Sequence, residues 1–211
     1  EVIATSDLRP SDAQIVEGMQ GFLGEIMQVP PQFSAVKIDG QRAYKLARAG
    51  EQIEIAARPL LVEELILADR PTPDTAVLEM TCGKGGYVRA IARDLGAVLG
   101  CYGHVAHLRR IWSGPFDLEH AVTLEQIESF AKTAEIGQFL RPLEVGLTDL
   151  PQGTTNAEGA AKLRNGNPAI CFTKAEYGDE IWVSYEGKAQ AIGRYKSGEI
   201  HPARVILQHE S

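Results

Sequence analysis

Cysteine is scarce in this chain: Cys82, Cys101 and Cys171 are widely spaced and odd in number. Such a set does not build a disulfide framework and suits reduced thiols, which points to a cytoplasmic protein. Long apolar runs are also missing. No stretch approaches the roughly 20 residues that span a bilayer, so neither a transmembrane helix nor a membrane partner is expected. Positive charge is not in excess: 21 Lys and Arg face 28 Asp and Glu, a formal net charge of −7. That argues against a uniformly basic nucleic-acid binder. No internal repeat or low-complexity segment is present. What is there, 211 residues with 44% hydrophobic and 23% charged, is ordinary globular composition for one domain or two small ones. The first residue is Glu, not Met, and Glu1 to Thr5 reads as a short strand, not a signal peptide. A start directly in a strand suggests a fragment or a processed product.

The cations are unevenly spread. Lys37 to Arg58 holds five Lys/Arg against three acids, and Cys82 to Arg110 holds five against one. Either these are solvated helix faces or they form a local basic surface on an acidic protein.

The periodicities give a mixed α+β reading. Ser11-Asp12-Ala13-Gln14 is a capping-box pattern opening a helix, with Val16, Met19, Phe22, Leu23 and Ile26 at helical spacing and Gly24 as its stop. Pro30-Pro31 cannot continue a helix, and Gln32 to Gly40 is expected to be extended, ending in an Asp-Gly turn. Arg42 to Ala49 reads as a short basic helix stopped by Gly50, and Gln52 to Ile55 as a strand. Leu60 to Ala68 and Ala76 to Cys82 are strands separated by a loop at residues 70–74. The clearest helix starts near Tyr87, with Val88, Ile91, Ala92, Leu95, Val98 and Leu99 on one face and Arg89 and Arg93 on another. Val105 to Ile111 reads as a strand. Thr123 to Gln126 is a second capping box, opening a helix to about Lys132. Near residue 147 the character changes. A short helix from Asn156 to Arg164, strands at Glu180 to Tyr185 and Lys188 to Arg194 joined by Glu186-Gly187, and a last strand at Arg204 to Leu207 suggest a small β-barrel. The expected domains are 1–147 and 148–211.

Few residues invite chemistry by themselves. Gly83-Lys84-Gly85-Gly86 before a helix either cradles an anion or is a tight strand-to-helix turn. It is not a Walker loop. Cys101, His104 and His107 could suggest a metal, but a strand at 105–111 would put residues 104 and 107 on opposite faces, so no metal is expected. Cys82 and Cys171 read as small buried side chains. No G-x-S-x-G elbow supports serine catalysis. Arg89, on the first turn of its helix beside Tyr87, could hold a carboxylate with both arms of its fork.

Together these residues resemble a known family. Gln28-Val29-Pro30-Pro31-Gln32-Phe33-Ser34-Ala35-Val36-Lys37, with Gly40, Tyr44, Ala47-Arg48 and Gly50, looks like the thumb segment of TruB tRNA pseudouridine synthases. Gly85-Gly86-Tyr87-Val88-Arg89 with Asp94-Leu95-Gly96 is similar to that family's motif around an active-site arginine. Gly103-His104-Val105, Leu108-Arg109-Arg110 and Ser113 to Phe116 continue it. Leu163, Gly166, Gly178-Asp179 and Pro202 to Val205 resemble, more loosely, a PUA-type RNA-binding module.

The resemblance implies a fold: part of the pseudouridine-synthase domain, with a mainly antiparallel mixed sheet, helices and a thumb at about 25–58, followed by a PUA-like β-barrel. It implies an isomerase that flips out one uridine in the tRNA T stem-loop, conventionally position 55, and converts it to pseudouridine without metal or organic cofactor. A catalytic Asp forms a covalent adduct with base or sugar. By motif position Arg89 would orient that Asp, Tyr87 and Leu108 would line the uridine pocket, and Lys37, Arg42, Lys45, Arg48 and Lys84 would contact RNA. The family's Gly-x-Leu-Asp-Pro motif is absent. The chain therefore reads as the C-terminal portion of an enzyme that is a monomer when intact, and by itself is expected to be inactive. The competing readings are a non-catalytic RNA-binding module or tRNA chaperone, and a structural or oligomerising domain.

Overall fold

In a computed structural model the described residues are 2–34, 37–38, 41–42 and 55–207. They form two compact units, Glu1–Leu108 and Arg109–Ser211.

The first unit begins with α1 (Asp12–Met19). Ser11 caps it by accepting from Gln14 N–H, and the Gln14 side chain returns to the Ser11 N–H, so the capping box forms. The helix tightens into a 3₁₀ turn at Gln20–Phe22. Its buried face is Ile15, Met19 and Phe22, while Val16 and Leu23 are exposed. Gly24 opens a strand and is not a stop: β1 is Gly24–Gln28. Pro30 and Pro31 end β1, because neither can donate to a ladder. Two short strands, β2 (Lys37–Ile38) and β3 (Gln41–Arg42), pair antiparallel on either side of residues 39–40. The helix expected over residues 42–49 and the strand over 52–55 fall almost wholly outside the described residues. Arg42 itself lies in β3.

β4 (Arg58–Thr72) and β5 (Thr75–Cys82) make a long hairpin, and with β1 they form an antiparallel sheet in the order β1-β4-β5. The strands run further than the sequence suggests, because the ladder continues through the expected loop to Thr72 opposite Thr75. In β4, Leu60 and Val62 face the core, and so does Leu65, three residues on. A bulge explains this change of phase. Val62 pairs with Cys82 and Glu64 with Thr81, so one extra residue sits between them. That insertion turns the next odd-numbered side chains inward. After the turn at residues 83–87 comes α2 (Val88–Val98), whose Ile91 and Leu95 join Ile15, Met19, Phe22, Leu60, Val62 and Leu65 in one core.

Two sequence expectations fail here. Residues 2–10 carry no regular structure, and Val2 and Ile3 are exposed. Residues 105–111 are not a strand either. The chain after α2 instead crosses that helix at very close range. A Cβ on Gly103 would lie 2.2 Å from the Ala92 carbonyl oxygen, and one on Gly96 would lie 2.4 Å from the Gly103 nitrogen. Backbone cannot yield as a side-chain tip does, so Gly103→Ala is expected to destabilise the protein by about 1–3 kcal/mol or more. A urea midpoint equal to wild type would contradict this crossing.

The second unit starts with a small hairpin, β6 (Trp112–Ser113) and β7 (Phe116–Asp117), then α3 (Leu124–Phe130), capped by Thr123 through the expected box with Gln126. A 3₁₀ turn at Leu143–Leu147 follows. It ties residues 144–147 to the strands that follow. Leu147 is buried with Trp182 and Ala189, and the Glu144 carboxylate accepts from the Ala189 N–H at 2.7 Å.

The rest is β8 (Gln152–Thr154), α4 (Ala157–Arg164, capped by Asn156), β9 (Ala169–Ile170), β10 (Phe172–Thr173), β11 (Glu180–Tyr185), β12 (Lys188–Lys196) and β13 (Glu199–Val205). The sheet order is β10-β8-β11-β12-β13-β9. Its two ends, β10 and β9, are separated by Cys171 alone, so the sheet curls almost closed into a barrel. β11 is buried on both faces: Ile181 and Val183 pack with Leu163 and Ile200, while Trp182 packs with Leu147. Glu186-Gly187 and Ser197-Gly198 all have positive φ, the geometry of tight two-residue hairpin turns. The second of these turns was missed in the sequence, so the last strand starts at Glu199 instead of Arg204. Cys171 is buried in the barrel's core, and burial pushes its thiol pKa up.

Candidate functional site

The site residues assemble around the start of α2. Gly85, with φ at +88°, turns the chain as only glycine does at low cost. The Gly83 N–H donates to the Leu61 carbonyl at 2.8 Å, holding the turn against β4. Tyr87 is the N-cap, with extended backbone and no side-chain cap of its own. It is half-buried, while Lys84 and Arg89 are exposed.

The two arginines on α2 have different surroundings. Arg93 forks onto the Asp94 carboxylate at 2.6 and 3.0 Å and also donates to the Val29 carbonyl at 2.9 Å. Its hydrogen bond to Asp94 holds the guanidinium above its ordinary pKa. Arg89 donates one Nη2 bond to the Phe33 carbonyl at 3.0 Å. Among the described residues no carboxylate forms a salt bridge with it. Arg89 is thus anchored at one nitrogen and has donors left for an incoming carboxylate.

Gln28 escaped the sequence reading. The residue is 5% exposed. Its side-chain carbonyl accepts from the Tyr87 N–H at 2.9 Å, and its amide nitrogen donates to the Tyr87 carbonyl at 3.3 Å. Four bonds therefore join residues 28–33 to Tyr87 and the first two turns of α2. The only sequence signal was that Gln28 and the double proline sit in one motif.

The other expected site residues are dispersed. Leu108 is exposed, five residues past the crossing at Gly103. Lys37 and Arg42 are directly paired in the β2–β3 ladder. Lys45 and Arg48 lie outside the described residues. His104 and His107 are exposed, and among the described residues no group of three His, Cys, Asp or Glu could hold a metal. No helix among them is long and apolar enough to cross a membrane.

Two solved structures share the fold of this chain. A Cbf5-Nop10-Gar1 complex matches with a TM-score of 0.71 at 20% identity, over 96% of this chain and 63% of that one. An H/ACA RNP bound to a substrate RNA containing 2'-deoxyuridine matches with a TM-score of 0.72 at 17% identity, over 98% and 64%. In sequence, residues 1–88 match the TruB family pseudouridylate synthase N-terminal domain, and residues 89–148 match the tRNA pseudouridylate synthase B C-terminal domain. The tRNA pseudouridine synthase B of Ruegeria pomeroyi is 67% identical over all of this chain and 70% of its own length. That of Bradyrhizobium diazoefficiens is 41% identical over 97% of this chain and 61% of its own. The chain belongs to the TruB family of pseudouridylate synthases, which are isomerases. It spans less than two thirds of the solved chains it matches. The junction between the two family matches falls between Val88 and Arg89, inside the continuous helix α2.

Proposed function

We propose that these 211 residues are the arginine-bearing portion of a tRNA pseudouridine synthase acting on the T-loop uridine at position 55. The observation that carries this is Arg89, a forked cation fixed at the start of α2 with no carboxylate partner among the described residues. In the complete synthase a nucleophilic Asp from outside these residues meets Arg89. A cation at about 4–6 Å lowers a carboxyl pKa by roughly 1–3 units and keeps the Asp ionised for attack. Tyr87 and Leu108 wall the pocket for the flipped base, as apolar and aromatic surfaces suit a stacked ring. The N1–C1′ bond of the uridine breaks, the base rotates within its covalent adduct, and a C5–C1′ bond forms. The C5 hydrogen leaves to solvent and N1 is protonated. No metal or organic cofactor takes part.

The remaining assignments follow the same reading. The thumb, with Lys37, Arg42, Lys45 and Arg48, and Lys84 behind the pocket contact the T stem-loop phosphates. Residues 148–211 act as a PUA-like RNA-binding barrel. The intact enzyme is a cytoplasmic monomer. The absence of a Gly-x-Leu-Asp-Pro motif from these residues favours a second description of this chain on its own: an RNA-binding module without catalysis. Release of tritium from C5-labelled uridine in tRNA tests the reading. The complete synthase is expected to release it and the 211-residue chain is not.

A further inference from the structure

We infer that Gln28 is the positioning residue for the Tyr87–Arg89 turn, fixing where the site arginine stands; this rests on the reading of Arg89 given above. Gln28 is the last residue of β1, 59 positions upstream of Tyr87. Its amide engages both backbone groups of Tyr87, at 2.9 and 3.3 Å. The orientation of the amide is dictated by its partners, because a backbone N–H can only donate and a carbonyl can only accept.

Tyr87 needs such a partner. It is a helix N-cap whose own side chain caps nothing, and its carbonyl also receives the Ala90 N–H at 2.9 Å and the Ile91 N–H at 3.2 Å. Helix starts leave backbone donors unsatisfied unless another group meets them. Gln28 supplies that group from the neighbouring strand, holding Tyr87 at φ −106° and ψ 101°. Those two angles set the direction in which α2 leaves the turn, and with it the place of Arg89 two residues on. The Arg89 bond to the Phe33 carbonyl and the Arg93 bond to the Val29 carbonyl involve exposed side chains. The Gln28 amide, in contrast, is buried, where a mismatched polar group is costly. Asn is one carbon too short to reach from the same backbone. Glu matches the Tyr87 N–H but sets a carboxylate against the Tyr87 carbonyl.

That last mismatch gives the test. Kinetics of the complete synthase are measured across pH for wild type, Gln28→Glu, Gln28→Leu and Arg89→Lys, with melting temperatures alongside. At pH 8, Gln28→Glu is expected to lose about 10²-fold in kcat, as displacement of a site by about 1 Å can do. KM for tRNA should stay within about threefold of wild type. A carboxylate facing a carbonyl in a buried place has a raised pKa. As pH falls, the protonated Glu regains one O–H donor and keeps one acceptor, so its kcat relative to wild type should climb. Gln28→Leu should stay low at every pH. Should that variant unfold, the recovery of Gln28→Glu still decides. A Gln28→Glu enzyme with wild-type kcat, or with a loss that does not change with pH, overturns the positioning role. An active Arg89→Lys enzyme removes the arginine reading itself. An inactive one beside a pH-independent Gln28→Glu loss removes only the role of Gln28.

Discussion

Replacing Arg89 by Lys in the complete synthase is expected to lower kcat by on the order of 10²-fold or more, with KM for tRNA little changed. Lys keeps the charge and loses the planar fork. The structure makes the fork the relevant property, because one Nη2 is already committed to the Phe33 carbonyl. A guanidinium can serve that carbonyl and a carboxylate at once. A single ammonium at the end of a flexible stem cannot hold both in fixed directions. Arg93→Lys is the internal comparison. Arg93 already has Asp94 as its partner and is expected to act on the shape of the turn, with a smaller loss. Single-turnover tritium release measures both. Near wild-type turnover in Arg89→Lys would take Arg89 out of the site.

Reversing Lys37, Arg42 and Arg48 to Glu is expected to abolish tight tRNA binding at moderate salt. If about four or five of the cations Lys37, Arg42, Lys45, Arg48 and Lys84 touch phosphates, log K should fall against log salt with a slope of roughly −3 to −4. The triple reversal should flatten that slope by about 2–3. Lys188 and Lys196, exposed on β12, provide the comparison and should cost less. Arg194 is left out of that comparison because its side chain donates to the Gly178 carbonyl at 2.7 Å and belongs to the barrel's own bonding. A thumb variant that binds like wild type with an unchanged slope would remove residues 37–48 from the RNA surface. The C-terminal barrel would then be the main contact.

Features written in neighbouring residues were legible in the sequence. The capping boxes at Ser11 and Thr123, the apolar stripe of α2 and the Glu186-Gly187 turn each depend on residues a few positions apart. The place of Arg89 on the first turn of its helix was readable for the same reason. Features joining distant segments were not. The bulge at Glu63 exists only opposite Cys82 and Thr81, so nothing in β4 alone announces the change of phase. Val105 to Ile111 has the composition of a strand, but it follows directly on the crossing of α2 at Tyr102 and Gly103, and it forms no ladder among the described residues. The Gln28 clamp spans 59 positions and uses Tyr87 backbone, which is invisible in side-chain patterns. The packing of Leu147 on Trp182 and Ala189 likewise joins residues far apart in the chain.

The most direct measurement is tritium released from tRNA carrying C5-labelled uridine, followed for the complete synthase and for the 211-residue chain side by side, with the modified position mapped in the T loop. The account expects release approaching one tritium per tRNA from position 55 with the complete synthase, and none above background with the chain alone. Release by the chain itself would contradict it by showing that the nucleophile lies within these residues. Failure of the complete synthase to release tritium from the T loop would contradict the assigned reaction.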